Sequence, residues 1–401
     1  MTMRTNRRIG LLLGIALLAG TALPAAGAKH NTLTKEEIAA GWILLYDGET
    51  LFGWRNHGGG KWKSKDGALM AESGEMGWIG TKTEFAQFAL KMQYRITGNG
   101  NSGIFFRADD KSTEPWVDGY EMQINDKDEN YPTGSLWDLK KAEYPDGKPV
   151  TDVDAWQDVE IRADDDHIII KLNGAEVIHA HEHKFQRGVI GMQFHYEGMK
   201  VEFRDIKLQP LGAKSIFNGT DLEGWKVIPD RKSVFSVTSE GWLNVKNGNG
   251  DIQTVATWDD FIFQLDVISN GTHLNSGIFF RAIPGEFWQG YESQIRNQWE
   301  GDDRTKPVDF GTGGIYRRQP ARKVVSSDNE WFTKTIVAHG NHLSVWVNGY
   351  QVSDFTDRRK VGPNAREHCK LDAGVISIQG HDPTTDLSFR NLKVAPLPKR
   401  K

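Results

Sequence analysis

A single cysteine, Cys369, occurs among the 401 residues of this chain. That argues against an intramolecular disulfide, a cysteine-built zinc cluster and a lipidated cysteine behind a leader. Beyond the first residues no apolar run approaches the roughly 20 residues of a membrane-spanning helix. Neither sign of charge dominates: 49 basic residues face 53 acidic ones, and no long basic stripe lies away from the ends. Nucleic acid is therefore not an expected partner. Helix signals are scarce too. Thr34-Lys35-Glu36-Glu37 ahead of Ile38 is the one good helix start, with Thr34 as cap.

The N-terminus has the make-up of a leader. Arg4, Arg7 and Arg8 precede a short apolar run from Ile9 to Leu23, and Ala26-Gly27-Ala28 offers a small-x-small cleavage site. Residues 1–28 are expected to be a signal peptide, which leaves no stable membrane span after cleavage. A bacterial periplasmic or secreted location follows as the expectation.

What the chain does have is one string written twice. Asn101-Ser102-Gly103-Ile104-Phe105-Phe106-Arg107 recurs as Asn275-Ser276-Gly277-Ile278-Phe279-Phe280-Arg281. Gly119-Tyr120-Glu121 with Gln123 recurs as Gly290-Tyr291-Glu292 with Gln294, and Gly188-Val189-Ile190 with Gln193 and His195 as Gly374-Val375-Ile376 with Gln379 and His381. The offsets, 275 − 101 = 174, 290 − 119 = 171 and 374 − 188 = 186, drift only between motifs. Two homologous domains, 40–211 and 212–398, with different loop lengths explain this; solenoid repeats are far shorter.

Both halves read as strands. His167 to Leu172 leads through Asn173-Gly174 into Ala175-Glu176-Val177, and His342 to Val347 leads through Asn348-Gly349 into Tyr350-Gln351-Val352. Asn-Gly between alternating runs is a strong hairpin signal, because both turn residues need positive φ. An all-β sandwich or jelly roll is expected in each half. Alternation then assigns faces. Glu121 and Gln123 share one face, as do Glu292 and Gln294, Gln193 and His195, and Gln379 and His381; Arg107 is expected beside Phe105 and Arg281 beside Phe279. A sheet face carrying Arg, Glu, Gln, His and an aromatic suits a sugar cleft, with hydrogen-bond partners for hydroxyls and flat surfaces for ring C–H groups. Trp137, Trp288 and Trp299 are stacking candidates, whereas Trp54 and Trp225 match across the repeats and read as structural.

Other motifs carry less. Gly98-Asn99-Gly100-Asn101-Ser102-Gly103 fits a dinucleotide pattern, but a strand follows it where a helix is required. His179, His181 and His183 alternate and could bind a metal; the second copy reads Ser353-Asp354-Phe355 there, which favours a solvated strand end. Asp164-Asp165-Asp166 and Asp302-Asp303 could bind calcium or be plain turns. Glu121 is followed by Gln123, not by a second carboxylate as an ordinary retaining glycosidase would need.

Taken together, the motifs Asn-Ser-Gly-Ile-Phe-Phe-Arg, Gly-Tyr-Glu-x-Gln-Ile, Thr-Gly-x-Ile/Leu-Tyr/Trp, Gly-x-Ile-x-x-Gln-x-His and Phe-Arg-Asn/Asp, in the same order twice, resemble the bacterial 3-keto-disaccharide hydrolase domain. The resemblance implies two tandem concanavalin A-like jelly-roll sandwiches. It also implies cleavage of 3-keto-glycosides by elimination across C1–C2 and hydration of the resulting enone, on a carbohydrate substrate oxidised by a separate dehydrogenase. The motif positions nominate His381, Arg281 and Glu292, with His195, Arg107 and Glu121 in the first copy, as catalytic. Histidine is the expected proton-transfer base and arginine the expected partner of the enolate oxygen. The nominated substrate-binding residues are Gln294, Gln379, Gln123, Gln193, Arg317 and Asp382. A divalent metal could assist, with no ligand set assigned. The same arginine and glutamate could instead brace the sheet as a buried ion pair.

The copies are unequal. The second follows His381 with Asp382 and has longer loops: Gln294 to Thr312 spans 18 positions against 10 from Gln123 to Thr133. Longer loops over a rigid sheet build site walls, so the second domain is expected to hold the more elaborated site, with Arg317, Arg318 and Arg322 on its rim. The alternative from another class is a lectin-like protein without chemistry.

Overall fold

Alternating apolar residues fold each half into two antiparallel sheets, as a computed structural model covering residues 29–97, 100–145, 147 and 154–400 shows. The expected leader, 1–28, and Gly98-Asn99 lie outside the described residues. In the first half a five-stranded sheet runs in the order Trp54–Gly60, Gly74–Thr81, Val189–Phe194, Ser102–Ala108, Tyr120–Ile124. In the second half Trp225–Val227, Gly250–Thr254, Val375–Gly380, Ser276–Ala282 and Tyr291–Ile295 repeat that order. Each small sheet packs on an eight-stranded one, and the side chains between them form the two main cores. The fold is all-β, two tandem sandwiches. Among the described residues the one α-helix is Lys35–Ala39, capped by Thr34 and Glu37 in a capping box. No helix among them is long and apolar enough to cross a membrane.

The two Asn-Gly turns form as expected: Asn173 and Gly174 have φ of 49° and 82°, Asn348 and Gly349 of 48° and 73°. Strands His167–Leu172 and His342–Val347, alike in position, differ in burial. The first alternates between buried and more open residues, while all six residues of the second are buried. The reason is that the first domain covers the outer face of the second domain's large sheet. Ile262, Val337, Trp346, Ala395 and Leu397 enter the first domain's core. Trp346 Nε1 donates to Leu44 O at 2.8 Å, and its ring lies 6.4 Å from Phe85. Strands buried on both faces lose the clean alternation of a half-exposed sheet.

Charges seal this interface. Arg187 lies 3.1 Å from Glu84 and 2.8 Å from Asp260; Lys82 lies 2.5 Å from Asp354; Arg322 lies 2.7 Å from Asp47. Arg322 also stacks on Phe52 and Tyr350, so it clamps the two domains together and is not the rim residue the sequence suggested. We predict that Trp346→Ala costs about 3–5 kcal/mol and separates thermal unfolding into two transitions in calorimetry. An unchanged single transition would show that the interface does not couple the domains.

Candidate active site

One glycine explains the core of the repeated motif. In the second small sheet Gly277 pairs with Gln294, and Phe279 pairs with Glu292. The Glu292 side chain lies over Gly277, where an added Cβ would collide with Glu292 Oε1. Gly103 relates to Glu121 in the same way. Asn-Ser-Gly-Ile and Gly-Tyr-Glu are thus two halves of one packing solution: the glycine leaves room for a carboxyl group laid flat on the sheet.

Across the same sheet Asp251 pairs with Gln379. Pairing and period-two alternation therefore gather Asp251, Gln379, Gln294 and Glu292 on one face. His381 follows Gln379 by two residues. With Asn275, Trp288, Gln289, Tyr316, Arg317, Arg366 and Glu367, the residues Glu292, Gln294, Gln379 and His381 line a cavity of about 360 Å³. Five nominated residues, Glu292, Gln294, Arg317, Gln379 and His381, thus meet in one place. Asp382 supports them from behind: its Oδ2 lies 2.9 Å from His381 Nδ1. That contact fixes the imidazole and leaves Nε2 for the cavity.

Burial displaces the ionisable groups on and beneath this sheet face. Glu292 is buried, and burial pushes its carboxyl up to about 7 even though Arg366 opposes the shift. Arg366 reaches Glu292 Oε2 at 2.8 Å, donates to Trp288 O at 2.8 Å and lies over the Phe279 ring. Burial also raises Asp251 to about 7, and the Trp288 backbone N–H donates to its Oδ2 at 3.1 Å. Beneath the strand, fully buried Lys334 donates to Ser293 O at 3.1 Å and Gln294 O at 3.0 Å; burial depresses its amine to about 7. Gln294 Oε1, Gln379 Oε1 and Trp288 Nε1 are buried without a hydrogen-bond partner. Such atoms cost free energy unless a ligand satisfies them. The Trp288 ring stacks on His381 at 5.6 Å between centroids.

Arg281 and Arg107 are not in this cavity. At each, the strand takes up an extra residue: Phe279 pairs with Ser377 but Ala282 with Val375, and Arg281 has φ of 47°. This bulge turns the side chain off the face that simple alternation assigned to it. The Arg281 guanidinium donates to Asp259 O at 2.6 Å, Gly340 O at 2.6 Å, Lys370 O at 2.8 Å and Asp260 Oδ1 at 2.8 Å. Arg107 likewise holds Ala86 O, Asp165 O and Phe185 O. Both brace the sheet, with loop carbonyls as their main partners and not the motif glutamate. The cation on the glutamate is Arg366, which sequence reasoning missed. Its only signal was its place in the long segment between Gly349 and Gly374.

The first domain keeps the scaffold but changes the side chains on it. Trp78 pairs with Gln193 where Asp251 pairs with Gln379, so a tryptophan replaces the aspartate. It stacks on His57 at 3.9 Å and meets Phe105 edge-on at 5.9 Å. Glu121 is driven to about 8 by burial alone. His195 is followed by Tyr196, not by an aspartate, and burial lowers its imidazole. Gln193 lines a smaller, aromatic cavity with Trp78, Phe105 and Trp116, whereas Gln123 is buried outside it. Of the stacking candidates, Trp288 lines the second cavity; Trp299 is covered by Arg304, and neither Trp299 nor Trp137 lines either cavity. Trp54 and Trp225 anchor strands, donating to Leu45 O and Ile216 O. Among the described residues, the group of three His, Cys, Asp or Glu side chains with converging ligand atoms lies elsewhere, at His167, His179 and His181.

A profile of the 3-keto-alpha-glucoside-1,2-lyase-like domain family matches residues 41–209 and again 212–395. The chain belongs to this family. It carries two copies of the 3-keto-alpha-glucoside-1,2-lyase-like domain. A 3-keto-disaccharide hydrolase of Bacteroides thetaiotaomicron is 29% identical over 154 residues, 30% of this chain and 53% of that protein. The match therefore spans about half the length of that relative. Among solved structures, a Parabacteroides distasonis protein provisionally described as a glycosyl hydrolase is 24% identical, with a TM-score of 0.41, covering 46% of this chain and all of the other. A carbohydrate-binding module from Bacillus subtilis is 22% identical, with a TM-score of 0.31, covering 39% of this chain and 94% of the module.

The buried groups of the second site make a signed pH prediction. Asp251 and Glu292 have folded values raised above their unfolded ones, so their contribution to stability is lost as pH rises from about 4 to about 7. Lys334 is depressed, so its penalty is relieved only as pH rises above about 7. The stability difference between the wild type and Asp251→Asn/Glu292→Gln/Lys334→Met should therefore vary with pH and favour the variant most near pH 7. Denaturant melts from pH 5 to 9 check this; a pH-independent difference would count against it.

Proposed function

We propose that the second domain cleaves 3-keto-glycosides by proton abstraction at C2 and elimination at C1, followed by hydration. The observation that carries this reading is the meeting of a histidine–aspartate pair, a buried near-neutral carboxyl and an arginine in one cavity. A ketone at C3 acidifies the C2 proton. His381 Nε2 takes that proton while Asp382 steadies the imidazolium that forms. The C2–H electrons pass into an enolate whose oxygen faces Arg366 and Arg317, where charge stabilisation contributes most. The enolate then collapses to restore the ketone, forms the C1–C2 double bond and expels the C1 oxygen. Glu292, whose carboxyl burial raises to about 7, gives that oxygen a proton from the fraction protonated near neutral pH. Water adds across the double bond, with oxygen to C1 and hydrogen to C2, so the net change is hydrolysis. Gln294 and Gln379 satisfy their free carbonyl oxygens on sugar hydroxyls, and Trp288 Nε1 donates to a sugar oxygen.

On this reading a separate sugar-oxidising dehydrogenase supplies the ketone, and a periplasmic or secreted location brings the protein to its glycoside. The first domain takes a second role. With Trp78 in place of Asp251 and, among the described residues, no cation paired with Glu121, it suits sugar binding without chemistry.

Mass spectrometry and enone absorbance, on a 3-keto-glycoside and its unoxidised parent, test the proposal. We expect turnover of the ketone alone. His381→Asn should lower kcat by about 10²–10⁴-fold, whereas His195→Asn should leave it within a few fold. Cleavage of the unoxidised parent would overturn the mechanism, and equal losses from the two variants would overturn the assignment to one domain. Trp116→Ala should raise KM for long substrates and spare kcat, as read from steady-state kinetics.

A further inference from the structure

We propose that His167, His179 and His181 form a binding site for a divalent transition-metal ion of the zinc, nickel or copper type. The site lies on the outer face of the first domain's large sheet, apart from the sugar cavity. It takes up the histidine motif in the sequence but changes its membership: His167 joins, and His183 drops out. Strands His167–Leu172 and Ala175–His181 are antiparallel, with His167 opposite His181 and Ile169 opposite His179. Alternation puts all three imidazoles on one face. Their ligand nitrogens lie within 4.8 Å of one another, and the His167 and His181 rings are 4.0 Å apart. Tetrahedral zinc holds nitrogens at about 2.0–2.1 Å from the metal. Small rotations of exposed imidazoles about their side-chain torsions bring three such atoms to that distance.

The surroundings are those of a ligand set. Asp166 Oδ2 lies 2.9 Å from His181 Nδ1, and Glu176 Oε1 lies 3.6 Å from His179 Nδ1. At His181 the carboxylate on Nδ1 fixes the tautomer and leaves Nε2 to coordinate, the usual outer shell of a metal-bound histidine. Glu176 adds only a nearby negative charge to His179. Asp166 Oδ1 also lies 3.8 Å from His167 Nε2, and its Oδ2 lies 3.8 Å from His183 Nε2, so the same carboxylate balances the positive charge of a bound ion. The turn carrying Asp166 is tied to the interior, because Arg107 donates to Asp165 O at 2.9 Å. Three imidazoles and no inner carboxylate favour zinc, nickel or copper over calcium or magnesium. The strand Ala175–His181 is the sheet edge, so the fourth position faces solvent.

The second domain shows that the sheet itself does not demand these histidines. The positions of His167, His179 and His181 are there His342, Asp354 and Thr356, locked in the interdomain interface, where His342 lies 2.9 Å from both Thr356 Oγ1 and Asp354 Oδ1. In the first domain the corresponding face is exposed and carries three imidazoles instead.

Isothermal titration of the tag-free chain with ZnCl2 at pH 7.5 tests the site, with cobalt absorbance as a second readout. We expect one saturable ion per chain, tetrahedral cobalt bands, and loss of both in His167→Ala/His181→Ala with the far-ultraviolet spectrum unchanged. Asp166→Asn should weaken binding by about 10–100-fold. Absence of saturable binding in the wild type, or undiminished binding in the double variant, would overturn the proposal.

Discussion

The buried ion pair between Glu292 and Arg366 is the interaction on which the second cavity depends. Glu292 sits on a sheet strand and cannot move far; Arg366 sits on a long loop and could. The 2.8 Å contact fastens the loop to the sheet, and the Trp288 carbonyl and Phe279 ring hold the guanidinium from other sides. A buried pair of this kind is costly to desolvate, so it is weak evidence for stability alone. What it provides is a wall of fixed position and a carboxyl poised near neutrality. Glu121 shows the same carboxyl without the arginine: burial acts unopposed and drives it to about 8.

Duplication explains how one chain holds two such different surfaces. Both domains share strand order, the glycine under the glutamate, and the arginine that braces the bulge. They diverge where the shared frame leaves freedom. On the small sheet, Asp251 in one domain corresponds to Trp78 in the other, and a polar cleft becomes an aromatic one. Within the core, Lys334 corresponds to Val159, since these residues pair with Val347 and Leu172 of the matching hairpins. On the outer face of the large sheet, one domain is covered by its neighbour and the other faces solvent.

Much of this was legible in the sequence. The Asn-Gly turns, the capped helix, the repeated strands and the shared face of Glu292 and Gln294 follow from local rules of turn chemistry and alternation. The grouping of Gln379 with His381 and Asp382 follows as well, because those residues are neighbours in the chain. Alternation failed at Arg281 and Arg107, where one extra residue in the strand reverses the face. It also could not reveal that Arg322 crosses to Asp47 or that Arg366 returns to Glu292, since loops have no period to read.

The sequence by itself determined that there are two β-domains, that each presents a glutamate and glutamines on a sheet face, and that the second carries longer loops. These are consequences of periodicity and of repetition, which need no knowledge of contacts. Only the tertiary structure decided which arginine meets the glutamate and which sheet face is left for three histidines. Those outcomes depend on where long loops and the second domain come to rest, and on burial, which sets the charge of a carboxyl or an amine only once its neighbours are in place.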